Sequence, residues 1–243
     1  MHKDIILIIG ASSDVGMGLI KHLDEDAMIL AHYNSSSENL IELSKQIKGT
    51  LIPLQADLST EDKINIFLNN IEFNYGIPTQ IVHLVANKVE NIRFKDVNWT
   101  DFENDINVSL KSAVIILNRF LPKLAKKKQG KVVFMLSSYV LGVPPIALSH
   151  YTTIKYALLG LVKSLASEYA SKNIQINAVS PSMVETKFLD NINEKLVELS
   201  AYNHPLKRNA TVEDIVPTIK FLLSESSNYM NGINIPITGG SLY

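Results

Sequence analysis

A chain of 243 residues, 46% of them hydrophobic, can bury a large core within a single α/β domain. Its formal net charge of −1 supplies no basic field for nucleic acid, and the absence of cysteine excludes disulfides and thiolate metal sites and fits a reducing compartment. The six histidines never fall at HExxH spacing and no GxxxxGK[ST] motif occurs, so neither metal nor nucleoside-triphosphate chemistry is supported.

Along the chain, short β-branched runs alternate with longer amphipathic stretches. Strands are expected near residues 4–9, 27–32, 50–54, 80–86, 131–137, 174–180 and 233–237, with helices between most of them. This alternation predicts a doubly wound parallel sheet of about seven strands, with helices on both faces, as a single domain over residues 1–243. The first run, Ile5-Ile-Leu-Ile-Ile9, is too short to span a membrane and lacks a cleavage pattern, so it reads as a buried strand of a cytoplasmic protein with no membrane partner. Without export, the sequons at Asn34, Asn98, Asn107 and Asn209 read as chance matches. Residues 182–210 are the least regular and form a candidate lid, ahead of a helix whose start Thr211-Val-Glu-Asp214 signals by capping. In such a sheet, ligands bind beyond the carboxyl ends of the strands, so the residues just after each strand carry the functional information.

The first strand runs into Gly10-Ala-Ser-Ser-Asp-Val-Gly16, after which Met17-Gly-Leu-Ile begins a helical pattern. A strand, a tight glycine turn and a helix N-terminus make a dinucleotide site, where backbone N–H groups and the helix dipole meet a pyrophosphate. The expected contacts are Gly10, Ser12, Ser13, Asp14, Val15 and Gly16. Here the chain resembles the short-chain dehydrogenase/reductases, whose TGxxxGxG pattern falls on Ile9 to Gly16, with Ile9 in place of the threonine and Asp14 in place of the middle glycine. The resemblance implies a Rossmann-type fold and a nicotinamide cofactor. A carboxylate at position 14 repels a pyrophosphate, and its alternative use is to cap the helix.

After the second strand, Tyr33 stands where an enzyme that prefers NAD(H) usually places an acidic residue. Asn34, Ser35 and Ser36 can donate to a 2′-phosphate, so NADP(H) is favoured over NAD(H), although no arginine or lysine stands nearby in sequence. Asp57, with Leu58, looks like the family's adenine-contacting pair. Leu84-Val-Ala-Asn87 replaces the family's NNAG, leaving Ala86 and Asn87 to pass the ribose. Pro181, Val184 and Thr186 resemble the segment that faces the nicotinamide.

Tyr151 and Lys155 are four residues apart and share one face of a helix. A free phenol holds its proton to about pH 10, and bringing it toward neutrality takes about 4 kcal/mol from a fixed cation. Ser138 closes the strand Lys131-Val-Val-Phe-Met-Leu-Ser137, thirteen residues before Tyr151, and is placed to polarise a carbonyl oxygen. Asn107 matches the family's helix asparagine, which holds a relay water. The resemblance thus implies a ketone reduction in which hydride reaches a carbonyl carbon, Tyr151 gives its proton, and Lys155 depresses the tyrosine's pKa and binds ribose hydroxyls.

The whole chain looks most like 3-oxoacyl-[acyl-carrier-protein] reductases, through Pro205-Leu-Lys-Arg-Asn-Ala-Thr-Val-Glu-Asp-Ile215 and the overall length. The substrate expected is a small-molecule or carrier-bound ketone. An acyl carrier protein would be a partner, with Lys126-Lys-Lys128, Lys131 and Lys172 as a candidate basic dock near the site entrance. The alternatives are an oxidoreductase of sugar, polyol, steroid or secondary-metabolite carbonyls, or a cofactor-binding protein without turnover. A homotetramer packed through the helices around 99–125 and 150–171 is also implied.

Overall fold

The computed structural model describes residues 4–241. Seven strands form one sheet: β1 (Ile5–Ile9), β2 (Met28–Tyr33), β3 (Thr50–Gln55), β4 (Gln80–His83), β5 (Gly130–Met135), β6 (Ile174–Pro181) and β7 (Asn234–Ile237). All pair in parallel in the order β3-β2-β1-β4-β5-β6-β7. The strand order reverses between β1 and β4, which opens a crevice beyond their carboxyl ends.

Eight α-helices connect the strands: α1 (Asp14–His22), α2 (Glu38–Gln46), α3 (Glu61–Asn74), α4 (Trp99–Asp105), α5 (Ser112–Lys127), α6 (Ser149–Tyr169), α7 (Glu194–Asn203) and α8 (Val212–Leu223). Strand alternation divides the core in two. Leu7 and Ile9 of β1 point to one face and pack with Phe67 of α3, Phe120 of α5 and Leu158 of α6. Ile6 and Ile8 point to the other, with Leu19 of α1, Leu40 of α2 and Ile219 of α8. Both faces are therefore covered, which explains why the strands read as continuous apolar runs.

β4 stops at His83, three residues earlier than the apolar run suggests, because its neighbour β1 ends at Ile9 and the chain turns at Gly10 with φ +84°. A Cβ at Gly10 would lie 3.1 Å from the Val85 nitrogen, so the turn and the chain after β4 approach closely only because position 10 is glycine. The 182–210 stretch is more ordered than its sequence suggests. It contains a 3₁₀ turn at Lys187–Leu189 and the ten-residue helix α7, capped by Asn193, whose side chain accepts from the Lys195 N–H at 3.0 Å. At the start of α8, the Asp214 carboxylate accepts from the Thr211 N–H at 2.8 Å, as the capping signal predicts.

Candidate active site

The crevice holds a cavity of about 630 Å3, bounded by the turn after β1, the ends of β2, β4, β5 and β6, the start of α6, and the 182–203 segment. At its head the β1 turn is fixed from three sides. Ser13 caps α1, its hydroxyl accepting from Gly16 N–H at 3.1 Å and donating to the Gly10 carbonyl at 2.8 Å. A Cβ on Gly16 would meet the Ala11 carbonyl oxygen at 2.6 Å, so helix and turn pack backbone to backbone. The third support is buried His32, whose Nδ1 accepts from Gly10 N–H at 3.1 Å while Nε2 faces the Ala56 carbonyl at 3.0 Å. That pair of partners requires a neutral ring protonated on Nε2, and burial lowers its pKa to about 4.

Asp14 does not cap α1. Its carboxylate instead accepts from the backbone N–H of Lys187 at 2.7 Å, tying the β1 turn to the 3₁₀ turn across the crevice. Lys88 and Asp190 make a second tie, an ion pair of 2.9 Å from the loop after β4 to the same segment.

Tyr151 and Lys155 both line the cavity, one turn apart on α6. Burial raises the pKa of the Tyr151 phenol, against which a hydrogen bond with the Ser137 hydroxyl acts to lower it. Lys155 is 2% exposed, and burial pulls its ammonium down to about 8. One of its protons goes to the Met135 carbonyl at 2.9 Å, and its Nζ lies 5.5 Å from the centre of the Tyr151 ring. At Tyr151 desolvation sets the direction, because the neighbouring cation is itself desolvated and turned toward β5. The rings of Tyr139 and Phe188 flank Tyr151 at 6.4 and 6.3 Å between centres.

Ser138 is not the serine in this cavity. Both serines are buried, but Ser138 opens a 3₁₀ turn (Ser138–Val140) while Ser137 lines the cleft. Met135 also lines the cavity, and Ser137 follows it by two residues on extended backbone (φ −158°, ψ 152°), so it projects from the same face and its neighbour from the other.

A family model described as enoyl-(acyl carrier protein) reductase, one of the short-chain dehydrogenase/reductase models, matches residues 10–241. This chain is a short-chain dehydrogenase/reductase. It is 27% identical to the 3-oxoacyl-[acyl-carrier-protein] reductase of Buchnera aphidicola subsp. Baizongia pistaciae, over 98% of this chain and 97% of that protein. With the enzyme of the same name from Thermotoga maritima it shares 28% identity, over 97% and 96%. Among solved structures, levodione reductase superposes with a TM-score of 0.89 at 23% identity, covering 100% of this chain and 99% of that one. The chain is accordingly an NAD(P)-dependent oxidoreductase by family.

In this short-chain dehydrogenase/reductase the expected cofactor residues divide into four groups. Gly10, Ser12, Ser13, Asp14, Val15, Tyr33, Asn34, Ala86, Pro181, Val184 and Thr186 line the cavity with Tyr151 and Lys155. Gly16 and Leu58 are buried and do not line it. Ser35 and Ser36 are solvent-exposed outside the cavity, with Ser36 donating to the Glu38 carboxylate. The Asp57 carboxylate is taken up by Lys63 at 2.6 Å and the Ser59 N–H at 2.8 Å, which hold it down to about 2. Asn87 turns away from the main cavity and donates to Asp105 at 2.6 Å.

Asn107 sits half-buried on a π-wound turn, Ile106–Lys111, between α4 and α5. Such turns recur at functional sites, but its side chain lines neither this cavity nor the smaller one beside it.

The lysines expected to form a basic dock do not border the cleft of their own chain. Lys126–Lys128 end α5, Lys172 precedes β6, and both lie at the amino ends of the strands, opposite the cavity. Lys131 is buried in β5 and donates to the Ser227 hydroxyl at 3.0 Å. Among the described residues no helix is long and apolar enough to cross a membrane.

Proposed function

We propose that this protein reduces a ketone to a secondary alcohol with NADPH as hydride donor, Tyr151 supplying the proton. The observation that carries this is the convergence of Tyr151, Ser137 and Lys155 in one cavity with the β1 turn. The bound cofactor supplies the hydride. Ser13, the Gly10 turn and the α1 N-terminus offer backbone N–H groups for its pyrophosphate. Lys155 retains two free protons for ribose hydroxyls, since one is spent on Met135. Ser137 and Tyr151 donate to the substrate oxygen, stabilising the charge that develops there as hydride arrives. In this role Ser137 replaces Ser138. Burial keeps Tyr151 protonated until the oxygen becomes basic enough to take its proton.

The preference for NADPH is supported by Tyr33, which places no carboxylate at the end of β2, and by Asn34 on the cavity wall. The substrate reading is supported by the wall beyond Tyr151. Val89, Pro145, Leu148, Phe188, Ile192, Leu196 and Leu199 make an apolar surface, which suits an acyl chain and offers little to a sugar or polyol. The two relatives are named as reductases of 3-oxoacyl groups on acyl carrier protein, and a carrier-bound 3-oxoacyl thioester is the substrate we propose. Exposed Trp99 on α4, Val114 on α5 and Tyr156 on α6 support a homotetramer packed through those helices. Elution as a monomer would contradict it.

Steady-state rates with NADPH and NADH, measured on acyl-carrier thioesters, simple ketones and sugars, test the reading. Reduction of the thioester with NADPH is expected, abolished by Tyr151→Phe while NADPH still binds. Near-normal turnover in that variant would sink the mechanism.

A further inference from the structure

His32 is a buried titratable residue that no step of the reduction uses. It is 2% exposed on β2 and lines the main cavity. Phe67 of α3 meets the ring edge-on at 5.3 Å between centres, which fixes its plane. Its two nitrogens then face two different loops. Nδ1 accepts from the Gly10 N–H at 3.1 Å, in the turn after β1, and Nε2 donates to the Ala56 carbonyl at 3.0 Å, where the chain leaves β3 for Asp57 and Leu58.

The backbone also joins both loops to β2, through the Ala11 N–H on the His32 carbonyl at 2.8 Å and the Ala56 N–H on the Tyr33 carbonyl at 3.0 Å. Neither of these bonds reaches the Gly10 N–H, which the ring alone takes up. On the other side of the same residue, the Gly10 carbonyl accepts from the Ser13 hydroxyl at 2.8 Å. Gly10 is thus held from both ends in the turn whose φ is +84°. A hydroxyl or a shorter amide in place of the ring meets one loop; a neutral imidazole presents an acceptor and a donor on opposite edges of one rigid body.

We propose that His32 is a positioning residue for the cofactor: its neutral ring sets the spacing between the turn that takes the pyrophosphate and the loop that takes the adenine, so the dinucleotide meets a frame already built. The proposal rests on the reading of this cleft as the NADPH site. His32 acts through Gly10 and Ala56, and its strand lies three places along the sheet from β5, after which Ser137 follows. Its loss is therefore read in cofactor binding and not in the chemical step.

Fluorescence titrations with NADPH and NADH, together with kcat and the ketone KM at saturating cofactor, test this. His32→Leu keeps an apolar body beside Phe67 and removes both nitrogens. It is expected to raise the NADPH dissociation constant about 10-fold, the scale of one or two lost hydrogen bonds, with kcat at saturating NADPH within about twofold of the parent. Two amides divide the ring's roles: an Asn oxygen falls near Nδ1 and keeps the acceptor for Gly10, and a Gln nitrogen falls near Nε2 and keeps the donor to Ala56. His32→Asn and His32→Gln should each bind NADPH more weakly than the parent and more tightly than His32→Leu. In the parent, nitrogen NMR of histidine-labelled protein should show the His32 ring neutral and protonated on Nε2, both free and with NADPH bound. A parental dissociation constant in folded His32→Leu, or a fall in kcat with that constant unchanged, overturns the proposal. So does a His32 ring protonated on Nδ1, a result that needs no variant to fold. Failure of the cofactor reading is distinguishable, because the parent itself would then bind neither cofactor. A parent that prefers NADH would correct that reading, while the ratio of variant to parent constants, taken with NADH, still decides the role of His32.

Discussion

Two adjacent serines follow β5, and of the two Ser137 lines the cavity. Ser137 touches the Tyr151 phenol and the cavity, whereas Ser138 is enclosed in the following turn. Ser137→Ala is therefore expected to lower kcat by about 100-fold or more, the cost of one lost donor to a developing oxyanion, and Ser138→Ala to leave kcat near the parental value. Steady-state kinetics on both variants decide between them, and the reverse ranking would restore Ser138 to the role. Spacing to Tyr151 narrows the choice to this pair and no further, because which of two neighbours faces a cleft is set by where the strand stops pleating. Glu38 raises a second question at this scale. Its carboxylate accepts from Ser36, beside the positions proposed for a 2′-phosphate, and that hydrogen bond lowers its pKa. Removing the charge in Glu38→Gln should raise the NADPH to NADH ratio of kcat/KM severalfold, and an unchanged ratio would place the phosphate elsewhere.

At the scale of elements, the positions of the strands and the glycine turn were legible because apolar periodicity and a tight turn are local signals. The helix within the candidate lid was not, although α7 carries its cavity-facing side chains at helical spacing, Leu196, Leu199, Ser200 and Asn203, behind an Asn193 cap. Its surrounding loops mask that pattern. His32 was equally hidden: its two partners come from the ends of β1 and β3, and only the register of three strands brings them together. Asp14 and Lys187, 173 residues apart, are the extreme case. A carboxylate that disrupts the glycine pattern becomes intelligible as the anchor of the 3₁₀ turn that carries Phe188 to Tyr151. Asp14→Ala should speed amide exchange at Lys187 by about tenfold, matching about 1.4 kcal/mol for a hydrogen bond to a charged group. Asp14→Asn, which keeps an acceptor oxygen, should speed it less. Parental exchange in the alanine variant would show that the contact does not hold the turn.

For the whole molecule, the two buried histidines of the central strands set how stability depends on pH. His32 is lowered to about 4 by burial, and His83, behind Lys155 on β4, to about 3, mainly by burial and then by the lysine's charge. Both have an ordinary pKa of 6.5. Between that value and the lowered ones the unfolded chain binds protons that the folded chain refuses, so the stability they contribute is fully present above about pH 6.5 and is lost as pH falls toward 4. Each contributes a slope of up to about 1.4 kcal/mol per pH unit in that window. Carboxylates held low by partners, such as Asp57, add their loss only at more acid pH, nearer their ordinary 3.8. Urea midpoints measured at pH 7, 6 and 5 are therefore expected to fall steadily before any carboxylate titrates. His83→Gln, which removes one titration while keeping a polar group near the Ser112 hydroxyl, should reduce that slope by about half. A midpoint that stays flat from pH 7 to 5 would mean that both rings take up protons in the folded protein as they do in the unfolded chain, and a protonated His32 could not accept from the Gly10 N–H that shapes the cofactor turn.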